Sequence, residues 1–262
     1  MIDLDALVRA QAGIFALETV RIAGVVIAAP LAWQPAPVRV KSGLVLLLAF
    51  AVHAEGAGGL ANHSLEHLAF SVGSEFMLGL GIGFVVRLFV ATAEMAADHI
   101  APMMGIGAAQ LFDPQTKSMQ NVLSSVLRNF AVLLALIAGL HRIVLAGVLA
   151  SFRAVPVGTM TNPALETPVI LAMTAEAMAT GVRIAFPFIA VLFMAQIALA
   201  FISRAAPAMQ IFSIGFAVTL AVGALLLVLV LPDMGYELLG EVARSGGKIE
   251  TLLTAVQAHA VP

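Results

Sequence analysis

Residues 208–231, Ala208-Met-Gln-Ile-Phe-Ser-Ile-Gly-Phe-Ala-Val-Thr-Leu-Ala-Val-Gly-Ala-Leu-Leu-Leu-Val-Leu-Val-Leu231, run for 24 positions without a charge. About 20 apolar residues in helical form cross the hydrocarbon of a bilayer, so this stretch alone reads as a spanning helix. The whole chain agrees with it: of 262 residues, 61% are hydrophobic and 11% charged, with a mean hydropathy of +1.04. A water-facing domain carries about 25% charged residues. An ordinary soluble enzyme is therefore excluded, and disorder is excluded by the abundance of apolar side chains. The expected class is an all-α integral membrane protein.

Outward from that stretch, five more apolar segments precede it. Arg204-Ala-Ala-Pro207 forms a sharp turn, before which 169–203 is apolar with Pro187 inside it. Earlier segments cover 129–152, 68–93 with Gly79, Gly81 and Gly83, 42–52, and 12–33 with Trp33 suited to an interface. Their length and Ala/Leu/Gly content make all six helical, some broken or irregular. The 42–52 segment is too short to span alone. A mixed connector from Glu94 to Gln120 carries Pro102, Gly105, Gly107 and the Asp113-Pro114 turn signal. A loop with Pro156, Gly158, Pro163 and Pro168 is the best boundary in the chain, and beyond Pro232 the sequence becomes an amphipathic tail.

Net charge is −2 and there is no cysteine. Nucleic-acid binding has no electrostatic basis, and neither disulfides nor thiolate metal sites can form. Asp3 and Asp5 stand where a signal peptide needs basic residues, so the first apolar segment is expected to be retained. With six spans, Arg9, Arg153, Arg244 and Lys248 balance Arg39, Lys41, Lys117 and Arg204, so the loops give no orientation. Charges instead lie within the apolar segments: Glu18, Arg21, Glu75, Arg87, Arg142, Glu176 and Arg183. Each would cost about 2.5–3.5 kcal/mol at a bilayer centre, so the helices must turn these groups toward protein or water. Glu18 and Arg21, three apart, can pair on one face. Glu176 and Arg183 lie about 10 Å apart along a helix and are expected to meet other helices rather than each other. Together they suggest a subunit of something larger.

His63-Ser-Leu-Glu66-His67 has the spacing of an inverted zinc-peptidase motif. Its place beside a Gly-rich loop, without a third ligand, favours a helix start over a metal site. Gly79-x-Gly81-x-Gly83 lacks the preceding strand of a nucleotide loop, and such glycines in an apolar helix permit close packing or a break. No cofactor is expected. Met103-Met104-Gly105-Ile106-Gly107 joins compliant side chains to flexible backbone. It reads equally as a gate or as a re-entrant turn packed in a core.

In order and spacing, the chain resembles the FliR family of flagellar export-gate proteins and their counterparts in injectisome type III secretion. The resemblance runs through Arg21 and Pro30, Pro37-Val-Arg39, Gly79-Leu-Gly-Ile-Gly-Phe-Val-Val-Arg87-Leu, and Ala93-Glu94. It continues through Gly105-Ile-Gly107, Phe112-Asp113-Pro114, Gly139-Leu-His141, Ser151-Phe152, Pro156-Val-Gly158, Ser203-Arg204-Ala-Ala-Pro207, Ile211-Phe212 and Gly215-Phe216. Ala208, Gln210 and Ala217 depart from the family's usual Gln, Asn and Pro. The resemblance implies a non-enzymatic subunit that forms a closed helical pore with FliP- and FliQ-like membrane subunits. Unfolded flagellar proteins would pass through it, near rod and other export proteins, in the inner membrane at the basal body. Part of the assembly would sit above the membrane plane. It implies a FliP-like part over 1–160, a FliQ-like hairpin over 161–232 and a tail over 233–262. A pore plug would lie within about 102–117, with Met103, Met104, Gly105, Ile106 and Gly107 at its heart. Glu18, Arg21, Glu75, Arg87, Glu176 and Arg183 would be intersubunit or pore-lining contacts, with lipid covering other faces. A small secondary permease is the alternative. It predicts repeated halves with paired broken helices, and no convincing repeat is present.

Overall fold

A computed structural model describes residues 4–30, 33, 36–56, 65–106, 122–159, 167–205 and 211–260. Among these residues there are seven helices and no strand: α1 (Leu4–Ala28), α2 (Val38–Ala54), α3 (Leu65–Met103), α4 (Val122–Ile137), α5 (Leu140–Ala154), α6 (Thr167–Ala205) and α7 (Ile211–Ala260). Candidate spans lie in α1 over Gln11–Ala28, α3 over Phe70–Met103, α6 over Thr167–Ala205 and α7 over Ile214–Ala258. Helices α4 and α5, bent by 68°, add a fifth if they form one broken span. The chain is thus an all-α membrane protein, as its composition requires.

Two differences from the sequence reading have physical causes. The segment over 129–152 is two helices because Gly139 takes φ +80°, a left-handed conformation that only glycine adopts without penalty. Its carbonyl accepts the first bonds of α5, from the N–H groups of Arg142 and Ile143. The expected connector after residue 93 is helical as far as Met103, with Pro102 in its last turn. Pro232 lies inside α7 at the cost of one backbone bond. The tail beyond Pro232 is helical and buries a stripe that includes Val242, Ile249, Leu252 and Val256. Ile249 there lies over Gly147 of α5, where even a methyl group would approach its Cγ2 to 3.0 Å.

The chain gathers into two compact units, one of residues Met1–Leu88, Ala135–Thr174 and Val242–Pro262, the other of Phe89–Leu134 and Ala175–Glu241. In the first, α1 and α3 touch backbone to backbone. A Cβ on Gly79 would collide with the Arg21 carbonyl oxygen, and one on Gly24 would lie 2.6 Å from the Phe76 oxygen. One on Gly83 would lie 2.8 Å from the Val25 oxygen. Gly79 and Gly83, four apart, face Gly24 and Ala28, also four apart, and this small-residue pattern lets apolar helices approach closely. Gly79 and Gly83 are therefore packing positions in an unbroken helix. Around it lie the buried Leu17, Ile22, Leu78, Ile82 and Val86. The end of α1 is closed by Pro30 and by the Trp33 indole, whose Nε1 donates to the Val26 carbonyl at 3.0 Å.

Candidate functional site: a buried charge lock and a capped helix end

In the first unit the apolar core encloses Arg21, Glu75 and Glu18, all fully buried. Arg21 Nε donates to Glu75 Oε2 at 2.5 Å. Its Nη1 donates to the Ser151 carbonyl at 2.9 Å and to Ser151 Oγ at 3.3 Å, and its Nη2 to the Val155 carbonyl at 2.9 Å. The Phe152 ring covers the guanidinium, 4.4 Å from its centroid. Residues 151–155 end α5, where the Ser151 carbonyl already accepts the Val155 N–H and takes Arg21 as a second donor, and where the negative end of the helix dipole favours a cation. Glu75 Oε1 accepts the N–H of Gly158 at 2.9 Å. Gly158, at φ +78°, is the left-handed corner of a turn closed by the Thr159 N–H on the Pro156 carbonyl. A buried ion pair is tolerable only when its remaining bonding capacity is filled. Here both carboxylate oxygens and all three guanidinium nitrogens are engaged, which ties α1, α3, α5 and the 156–159 turn together.

The expected local pair of Glu18 with Arg21 is not what forms. Arg21 turns to α3 and α5, while Glu18 Oε2 bonds His53 Nδ1 of α2 at 3.0 Å. The His53 ring meets Phe15 edge-on, with centroids 5.6 Å apart. A residue three positions away is always available on paper, but the acceptors gathered by tertiary packing serve a planar five-donor group better. Sequence spacing did not reveal Ser151, Val155, Gly158 and His53 as partners. One signal was present: Arg21, Ser151-Phe152 and Pro156-Val-Gly158, scattered along the resemblance, converge on this cluster. Arg87, Glu176 and Arg183 lie elsewhere, exposed on α3 and α6.

The second unit holds the end of α3. Ile106 N–H donates to the Ala101 carbonyl at 2.9 Å and Gly105 N–H to the Pro102 carbonyl at 3.0 Å. Gly105 itself stands at φ +78°. These paired bonds are the Schellman closure of a helix C-terminus. One carbonyl at this end is capped from outside: Gln196 Nε2 donates to the Met103 oxygen at 3.2 Å, while the Thr219 hydroxyl, which donates to the Gly215 carbonyl of its own helix at 3.0 Å, lies 3.5 Å from the Met104 oxygen. Met104 is buried against Gly223, where a Cβ would lie 2.5 Å from its Cγ. Phe216 covers Gly105. Met103 to Ile106 thus form an anchored terminus, and Gly107 lies outside the described residues. Gly105→Ala should lower the melting temperature by an amount matching about 1–2 kcal/mol, because an L-residue is strained at that φ and its methyl meets the Phe216 ring at 2.9 Å. A circular-dichroism melt equal to that of the unaltered chain would show that the cap does not form.

Of the suspected metal motif, His63 and the side chains of Glu66 and His67 lie outside the described residues. Among the described residues no group of three metal-binding side chains occurs.

Long apolar helices around a sealed charge lock define an integral membrane protein built on helix packing. The chain matches the family described as bacterial export proteins, family 1, over residues 12–244, and it belongs to that family. Its relatives include the flagellar biosynthetic protein FliR of Escherichia coli strain K12, 29% identical over 217 residues, 81% of this chain and 82% of that one. The protein of the same name from Caulobacter vibrioides is 27% identical over 201 residues, 74% of this chain and 78% of its own. That of Aquifex aeolicus is 29% identical over 171 residues, 65% and 66% of the two chains.

Proposed function

We propose that the chain is the structural and gating subunit of a flagellar or related type III protein export gate, joined to FliP-like and FliQ-like subunits in the inner membrane. The observation that carries this reading is where α3 stops. Gln196, which caps it, and Thr219, which lies against it, stand near the middle of the uncharged runs 184–203 and 211–232. A backbone end at that depth is tolerated only where protein buries it or where it borders an aqueous path. A chain that merely anchored itself in lipid would have no use for such an end. A conduit that must open for an unfolded polypeptide needs an element reaching its axis, and the connector of about 102–117 would supply it. Residues 1–160 would form the FliP-like part, 161–232 the FliQ-like hairpin, and 233–262 the tail. Arg87 and Glu176 would face neighbouring subunits or the pore, while Arg21 and Glu75 brace the subunit from within. Energy and substrate selection would come from other export components, and the substrates would be unfolded flagellar proteins.

The test is ion conductance of the assembled gate in planar bilayers. Removing residues 103–110 should turn a closed complex into one that leaks monovalent cations, with subunit composition unchanged. An intact complex that stays closed after this deletion would sink the plug assignment.

A further inference from the structure

Residues 184–203 of α6 and 211–232 of α7 carry no charge. At about 20 residues each they are roughly 30 Å long, the thickness of a bilayer's hydrocarbon. The two runs are antiparallel neighbours. A Cβ on Gly215 would lie 3.7 Å from Leu199, while Arg183 and Pro187 share a cavity with Val230 and Asp233. As bilayer spans, the two runs would bring the first charges beyond them, Arg183 and Asp233, to one level at the edge of the hydrocarbon, where lipid headgroups lie. There a partly open cavity of about 180 Å³ separates Arg183, Ile184 and Pro187 on one wall from Val230, Asp233 and Glu237 on the other.

We propose that this cavity seats the headgroup of a zwitterionic phospholipid of the ethanolamine type, its phosphate on Arg183 and its ammonium between Asp233 and Glu237. Asp233 and Glu237 are one helical turn apart, an arrangement of like charges that calls for a cation between them. Arg183 calls for an anion, and its planar fork suits phosphate oxygens. Among the described residues none of the three has an ion pair or hydrogen bond to another side chain. A free metal cation would answer only the carboxylates, and an anionic headgroup would meet two carboxylates for one guanidinium. A headgroup with both charges answers all three. The three N–H donors of a primary ammonium find a third acceptor in the Arg183 carbonyl, since Pro187 has no N–H to give it. Ile184, Pro187 and Val230 supply apolar wall for the glycerol and first acyl carbons. Arg183 thereby gains a lipid in place of a neighbouring subunit.

The test is native mass spectrometry of the full chain in detergent, with phosphatidylethanolamine, phosphatidylcholine and phosphatidylglycerol of identical acyl chains. The unaltered protein should hold the ethanolamine lipid about tenfold more tightly than the choline lipid, whose ammonium has no N–H to donate. Arg183→Gln should weaken ethanolamine-lipid binding about tenfold. The pair Asp233→Asn and Glu237→Gln should abolish the preference over choline and raise binding of the glycerol lipid. Equal retention of ethanolamine and choline lipids by the unaltered protein overturns the proposal without reliance on any variant. Soluble glycerophosphoethanolamine bound as tightly as the lipid would overturn the lipid source.

Discussion

Arg21→Leu should destabilise the chain by about 3–5 kcal/mol, the cost of leaving one member of a buried ion pair without the other. Glu75 would keep a single donor, the Gly158 N–H, in a fully buried setting. The Ser151 and Val155 carbonyls would lose the guanidinium that now closes the end of α5. Arg21→Lys should fall between, because one ammonium cannot serve acceptors spread around a planar fork. The informative variant is the double replacement Arg21→Leu with Glu75→Leu. It removes both charges, so it should be clearly more stable than the sum of the single losses. Chemical denaturation of the four proteins in detergent measures this directly, and strictly additive losses would show that the two residues do not act as a pair.

Gly79→Val should be nearly as severe, by a different route. Overpacking a core costs about 1–3 kcal/mol when side chains can rotate away, but here the obstacle is the Arg21 backbone carbonyl. Neither helix can yield without parting α1 from α3, and the shift would drag Arg21 off Glu75. On the same helix, a methyl group added at Gly73 would have nothing within 4 Å. Gly73→Ala should therefore raise stability by about 0.5–1 kcal/mol through reduced chain entropy. Opposite signs in thermal melts of the two variants are the expected outcome. A Gly79→Val protein melting like the unaltered chain would mean that the helices are not in backbone contact.

Much of this architecture was legible in the sequence because bilayer-scale apolar runs and glycine spacing are local. Residues 208–231 could only be a helix, and the Gly79–Gly83 spacing already suggested close approach. Gly139 hid in plain view: a single φ value, invisible to hydropathy, divides one segment into two. The charge lock could not be assembled from spacing, because Arg21 finds its partners 54, 130 and 134 residues away. The Met103–Ile106 stretch stood out by composition as either gate or packed turn. Its capping by Gln196 is long-range, beyond anything local composition carries.

That capping sets a timetable for biogenesis. The Met103 carbonyl is satisfied by Gln196, 93 positions later in the chain. At a synthesis rate of about 5–20 residues per second, the end of α3 must wait roughly 5–20 s for that cap to leave the ribosome. Through that interval its exposed polar end cannot settle in lipid and must be kept with water or the insertion machinery. The end of α3 is therefore made well before it is finished, and α6 finishes it.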